Sequence, residues 1–256
     1  MSELDPTSIE SVQKIKPVEL EDLLGRPETR HENKNLQQLI KNQIVLVTGA
    51  GGTIGSELCK QISEMQPRSI ILADYSEFAL WSITETIFSI IDKNIVIPEL
   101  LDIRDKKAVD KIFIKHQPNI VLHAAALKHV PICEKHPIDA IRTNTLGTKI
   151  IAETCEKHDV SAMVLISTDK AVNPINLYGA TKLTSDKLFV AANNHIGFKK
   201  ISYSVVRYGN VMKSRGSVVP LFLKQKNSGT FTVTHKDMPR SVSYTHLRAH
   251  ETEADL

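Results

Sequence analysis

Cysteine is scarce: Cys59, Cys133 and Cys155 are the only three in 256 residues. Three scattered thiols cannot build a disulfide framework, and the first residues carry no apolar secretory core, so the sequence predicts a reducing, cytoplasmic setting. Long hydrophobic runs are also missing. Nothing approaches the roughly 18 consecutive apolar residues that cross a bilayer, which predicts no membrane span. Runs of about five or six like charges, the mark of an arm for nucleic acid or a membrane surface, do not occur. Lys+Arg 32 against Asp+Glu 29 leaves a net charge of +3, too small to favour a polyanionic partner, and no nucleic acid is expected. What is present is an ordinary globular mixture, 41% hydrophobic and 24% charged, on a length that suits one large α/β domain.

Residues 1–40 are polar, mixed in charge and punctuated by Pro6, Pro17 and Pro27, and read as a leader. From Ile44 onward short apolar runs alternate with longer amphipathic stretches. The expected strands are Ile44 to Thr48, Ile70 to Asp74, Ile95 to Ile97, Ile120 to Ala124, Met163 to Ser167 and Ser202 to Arg207. The expected helices lie near Ile54 to Met65, Phe78 to Ile91, Lys106 to His116, Ile138 to Lys157 and Asn176 to Asn194. Such alternation predicts a doubly wound parallel sheet of Rossmann type, because right-handed crossovers place helices on both faces. Residues 41–240 form this expected catalytic domain. Residues 241–256 have no periodic apolar face and read as a tail foreign to the fold and not native.

Directly after the first strand stands Gly49-Ala50-Gly51-Gly52-Thr53-Ile54-Gly55, opening a helix. Gly49 and Gly52 would let the backbone turn and approach a pyrophosphate at the helix N-terminus, and Gly55 would let the helix pack closely. A dinucleotide is the expected guest. Asp74, ending the second strand, can accept hydrogen bonds from the adenosine ribose hydroxyls and favours NAD, with Arg68 and Lys93 near enough in sequence to keep NADP as the alternative. Asp102 could reach the adenine edge or cap a helix together with Asp105.

The stretch from Ser167 to Lys182 carries the chemistry. Tyr178 and Lys182 are neighbours on one helix face, where an ammonium would lower the tyrosine pKa and make it a general base. Thr168, Asp169 and Lys170 precede them. A competing set, His129, Cys133 and His136, has the spacing of one helix face and could hold zinc. Pro131 and Pro137 disturb that helix and no fourth ligand is suggested, so no metal is expected.

The glycine loop, Asn144-Thr145-Leu146-Gly147-Thr148 and Tyr178-x-x-x-Lys182 resemble the extended short-chain dehydrogenase/reductases. Ala124-Ala125-Ala126-Leu127-Lys128-His129-Val130-Pro131 and Ser167 to Pro174 further resemble the CapD-like polysaccharide-biosynthesis enzymes of the UDP-N-acetylglucosamine 4,6-dehydratase type. The resemblance runs from about Val18 to Arg240. It implies that Tyr178 takes the proton from the sugar 4-hydroxyl while NAD accepts hydride, with Thr168 polarising that oxygen and Lys182 holding the nicotinamide ribose. It implies Lys170 as the base at carbon 5 and Asp169 as the acid for the departing 6-hydroxyl, a pair that epimerisation does not need.

The same resemblance implies a cofactor crevice lined by Ala124, Ala125 and Lys128, and Asn144 as support of the active-site helix. A UDP-N-acetylhexosamine would be met by Lys128, Asn210, Arg215 and Ser217, with Pro220 in the same segment. Beyond Arg240 the family pattern continues into the rest of a small C-terminal substrate domain, which here is expected to be truncated. The resemblance also implies a homo-oligomer for the full-length chain. A UDP-sugar 4-epimerase and an inactive cofactor-binding fragment are the alternative readings.

Overall fold

The computed structural model describes residues 34–195 and 200–211, together with 221, 222, 225, 230, 232, 242 and 243. The chain divides into two units, of which the first, residues 1–30, lies outside the described residues. The second holds six parallel strands: β1 (Ile44–Thr48), β2 (Ser69–Asp74), β3 (Val96–Leu100), β4 (Ile120–His123), β5 (Ala162–Ile166) and β6 (Ser202–Val206). They lie in the order β3-β2-β1-β4-β5-β6. The ladders are all parallel, with Val45 opposite Ile70 on one side and Ile120 on the other. The doubly wound fold is therefore present.

The central strands read as near-continuous apolar runs because both of their faces are covered. Leu46, Ile71, Val121, Met163 and Leu165 turn to one face, where they pack with Val109, Ile112 and Phe113 of α4 (Lys106–His116). Ile151 and Cys155 of α7 (Thr148–Lys157) and Phe189 of α8 (Leu177–His195) complete that layer. Val45, Val47, Ile70, Leu72 and Ile120 turn to the other face. There they meet Ile40 of α1 (Lys34–Ile40), Leu58, Cys59 and Ile62 of α2 (Thr53–Glu64), and Leu80, Ile83 and Ile87 of α3 (Glu77–Phe88). The polar leader expected through residue 40 thus gives way earlier: Lys34–Ile40 is helical and Ile40 is buried in the core.

Two further differences concern the helix expected over 138–157. It is preceded by α5 (Val130–Lys135), opens as α6 (Pro137–Ala140), passes through a π-helical turn over Ile141–Gly147 and only then continues as α7. Pro131 and Pro137 do not break these short helices. Each sits in a first turn, where the missing N–H has no intrahelical partner to lose. A small parallel pair, β7 (Asn210–Val211) with β8 (Val242–Ser243), joins two residues of the expected tail to the segment after β6.

Candidate active site

The sheet order reverses between β1 and β4, so their carboxyl ends open a crevice, the place where doubly wound sheets take ligands. The loop from β1 to α2 lines it. Gly49 has φ of 67°, and a Cβ there would lie 2.7 Å from the Ala125 backbone and 2.8 Å from that of Ala124. The glycine is required on both counts. Gly55 packs on the loop itself, since a Cβ there would overlap the Gly49 carbonyl. Gly52, the N-cap of α2, puts no side-chain oxygen at the helix N-terminus. Thr53 and Ile54 form the first turn of α2, and the Gly51 N–H donates to Asp74 Oδ2 at 2.9 Å.

Asp74 therefore braces the loop as well as ending β2, and its Oδ1 accepts the Ser76 N–H at 2.9 Å. Asp102 is not a helix cap: Asp105 fills that role for α4, accepting the Lys107 and Ala108 N–H groups. The Asp102 carboxylate instead holds Arg104 through Nε and Nη2 at 2.7 to 3.0 Å, an ion pair that lowers its pKa. Arg104 also lies over the Tyr75 ring, 5.4 Å from its centroid.

At the end of β5 the chain turns through Asp169–Ala171 and enters α8, bringing the catalytic candidates together. Tyr178 stands beside Thr168, whose hydroxyl draws its pKa down. Thr168 Oγ1 donates to Asp169 Oδ1 at 3.0 Å, and Lys170 Nζ lies 3.0 Å from Asp169 Oδ1 and 3.2 Å from Asn210 Oδ1. Lys182 is 2% exposed and donates Nζ to the Ile166 carbonyl at 2.9 Å.

The expectation of a lowered Tyr178 pKa is not met. Burial pushes the phenol up to about 12, outweighing the lowering influence of Thr168. Burial also draws Lys182 down to about 8, while Asp186 one turn on opposes that fall. Lys182 remains charged at neutral pH.

Asn144 sits in the π turn, fully buried, and clamps two segments. Its Oδ1 accepts the Leu127 N–H at 2.8 Å, and its Nδ2 donates to the Leu127 carbonyl at 2.9 Å and to Thr181 Oγ1 at 3.0 Å. Single-turn π segments often mark functional positions. Lys128, next in that loop, is exposed. Arg215, Ser217 and Pro220 lie outside the described residues. Of the residues weighed for zinc, Cys133 is buried with Sγ 3.7 Å from the Leu127 carbonyl, and His129 and His136 flank α5 as its caps. Among the described residues no group of three or more His, Cys, Asp or Glu is placed to hold a metal ion.

Sequence reasoning missed several contributors. Tyr208 stands beside the pair, its carbonyl accepting the Asp169 N–H at 2.9 Å and its phenol pushed up by burial and by Tyr178 and Asp169. Arg207 Nε reaches buried Asp186 at 2.8 Å, pinning β6 to α8 behind Lys182. Gly179 lets the first turn of α8 rest on Lys170, whose carbonyl a Cβ would meet at 2.3 Å. The usable signal was position: Arg207 and Tyr208 directly follow β6, at the carboxyl edge where such sheets place their sites.

The family described as polysaccharide biosynthesis protein matches residues 45–244. The chain belongs to this family. The capsular polysaccharide biosynthesis protein CapD of Staphylococcus aureus is 43% identical over 231 residues, covering 90% of this chain and 38% of CapD. An inverting UDP-N-acetylglucosamine 4,6-dehydratase of Campylobacter jejuni is 43% identical over 181 residues, 70% of this chain and 52% of that protein. A UDP-glucose 4-epimerase of Rickettsia canadensis is 36% identical over 204 residues, covering 78% of this chain and 58% of that one. Among solved structures, Pen from Bacillus thuringiensis superposes with a TM-score of 0.77 at 33% identity, over 82% of this chain and 63% of Pen. The chain thus spans between 38% and 63% of these proteins and is related to dehydratases and epimerases of the extended short-chain dehydrogenase/reductase group. Among the described residues, no helix is long and apolar enough to cross a membrane.

Proposed function

We propose that this chain is the cofactor-binding and catalytic part of a sugar-nucleotide 4,6-dehydratase that acts on UDP-N-acetylglucosamine in surface polysaccharide or glycan biosynthesis. The observation that carries the proposal is the Asp169–Lys170 pair set against Thr168 and Tyr178.

The crevice suits NAD, with NADP as the alternative. The left-handed Gly49, the uncapped start of α2 and the Ala124 and Ala125 backbone shape a cradle for a pyrophosphate, and Asp74 stands at the ribose end. Gly51, Gly52, Thr53, Ile54 and Gly55 line that cradle. Lys128 would shape its far wall, buried Asn144 would hold the loop that carries Lys128 in place, and Asp102 would face the adenine. Bound there, the cofactor would supply a hydride acceptor for the sugar and a positive charge.

The chain's own residues do the proton work. Tyr178 and Thr168 stand side by side and together can hold a sugar hydroxyl, Thr168 orienting it while Tyr178 takes its proton. Lys182 supplies the nearby positive charge that favours the phenolate. Once carbon 4 is a ketone, the proton on carbon 5 is acidic. Lys170 and Asp169 are 39% and 43% exposed, open to a substrate, and lie 3.0 Å apart. As an amine Lys170 would take the carbon 5 proton, and as a carboxylic acid Asp169 would protonate the leaving hydroxyl on carbon 6. Asn210, hydrogen-bonded to Lys170, would orient the amine and meet the sugar; Arg215 and Ser217 are assigned to the same substrate by motif.

The test is the mass and NMR spectrum of the product from UDP-N-acetylglucosamine with NAD or NADP. Loss of one water supports the dehydratase, and Lys170→Ala should cut its rate by about 10²–10⁴-fold. Wild-type dehydration in that variant would overturn the base assignment. The likeness to the Rickettsia enzyme keeps a second reading, UDP-sugar 4-epimerase, which predicts inversion at carbon 4 with no loss of water. Cofactor binding with no turnover would identify a binding fragment.

A further inference from the structure

His123, the last residue of β4, has no part in this chemistry, is completely buried and lies between the two halves of the site. Its Nδ1 is 2.6 Å from Thr48 Oγ1, on the residue before Gly49, and its Nε2 is 3.0 Å from Thr148 Oγ1. Donor counting assigns every proton. Thr148 Oγ1 donates its one hydrogen to the Asn144 carbonyl at 2.6 Å, so it can only accept from His123. Nε2 must then carry the hydrogen and Nδ1 must accept from Thr48.

Asn144 also carries a second set of bonds, made by its side chain. Asn144 Nδ2 donates to Thr181 Oγ1, which donates to the Tyr178 carbonyl at 2.8 Å. One series therefore runs from the residue before the phosphate loop, through His123 and Thr148, to the Asn144 backbone carbonyl, and a second runs from the Asn144 side chain to the turn that carries Tyr178, the two meeting in that one buried residue. Burial and the charge of Lys182 hold the imidazole neutral, with its pKa drawn down to about 3, so the series persists across physiological pH.

We propose that His123 is a positioning residue that couples the placement of the phosphate loop to that of the Tyr178 turn. The proposal rests on the reading of the crevice as a dinucleotide site. Its sharpest consequence concerns Thr148, which stands on α7 and is joined by the imidazole to Thr48, the residue before the phosphate loop.

The experiment measures NADH and NADPH affinity of the full chain by nucleotide fluorescence. Thr148→Val should weaken binding about five-fold, and Thr148→Ser, which keeps the hydroxyl, should restore it. His123→Phe should weaken binding similarly and abolish any further effect of Thr148→Val. Equal losses in the Val and Ser variants, unaltered affinity in the Val variant, or additive losses in the His123→Phe background would overturn the coupling.

Nitrogen-15 NMR of the imidazole needs no ligand and keeps the proposal testable should His123→Phe fail to fold. A neutral Nε2–H tautomer that does not titrate between pH 8 and 5 is expected. An Nδ1–H tautomer, or titration near the ordinary histidine value, would overturn the assignment. Failure of the unaltered chain to bind either nucleotide would overturn the dinucleotide reading and the coupling with it, whereas an unaltered chain that binds beside an unaffected Thr148→Val would overturn the coupling alone.

Discussion

Lys182 shows how a position proposed for catalysis and a stable fold pull against each other. Its ammonium is buried with one carbonyl partner, and Asp186, which opposes the fall in its pKa, is itself held by Arg207. A lysine pKa lowered from 10.5 to about 8 means that the unfolded chain binds the proton more tightly. The folded state is therefore penalised in full below about pH 8, and the penalty fades as pH rises toward 10.5. Lys182→Met removes the buried charge at similar size. In urea unfolding it should be more stable than the native chain by roughly 1–2 kcal/mol at pH 7, with the gap closing near pH 10, while turnover is lost. A variant less stable at pH 7 would show that the Ile166 hydrogen bond outweighs the buried charge. The spacing of Tyr178 and Lys182 was legible because helix geometry makes such residues neighbours. The Arg207–Asp186 and Arg104–Asp102 pairs were not, since the first joins distant segments and the second competes with a local capping reading.

Elements were legible where one pattern dominated. The buried runs of β1, β2, β4 and β5 can only be satisfied between two helical layers, and their bounds fall within a residue or so of the expectation. The stretch from 130 to 157 was harder, because its prolines serve as helix starters and its π turn leaves no mark on apolar periodicity. That turn is what brings Asn144 to Leu127 and Thr181. Capping offers a test of an element without touching the site. Asp105 accepts two N–H groups at the start of α4, and Asp105→Ala should lower stability by about 1 kcal/mol in urea without altering nucleotide affinity. An unchanged midpoint would show that solvent replaces the cap at no cost.

At the scale of the molecule, the strand order alone places the crevice, since reversal at β1 and β4 sends their connections to opposite faces. The alternation of strands and helices made this much readable, whereas the substrate side was read from motif resemblance alone. The fold therefore makes its firmest global prediction about the cofactor. A ligand that binds only the folded state at 100 times its dissociation constant adds about 2.7 kcal/mol, which for a domain of this size raises the thermal midpoint by several degrees. NAD or NADP should produce such a rise in differential scanning fluorimetry, growing with the logarithm of concentration. Gly49→Ala places a methyl against the Ala124 and Ala125 backbone at a left-handed residue, so its own midpoint should fall and the nucleotide-dependent rise should vanish. A variant that keeps the full rise would mean that the nucleotide binds elsewhere than over this loop.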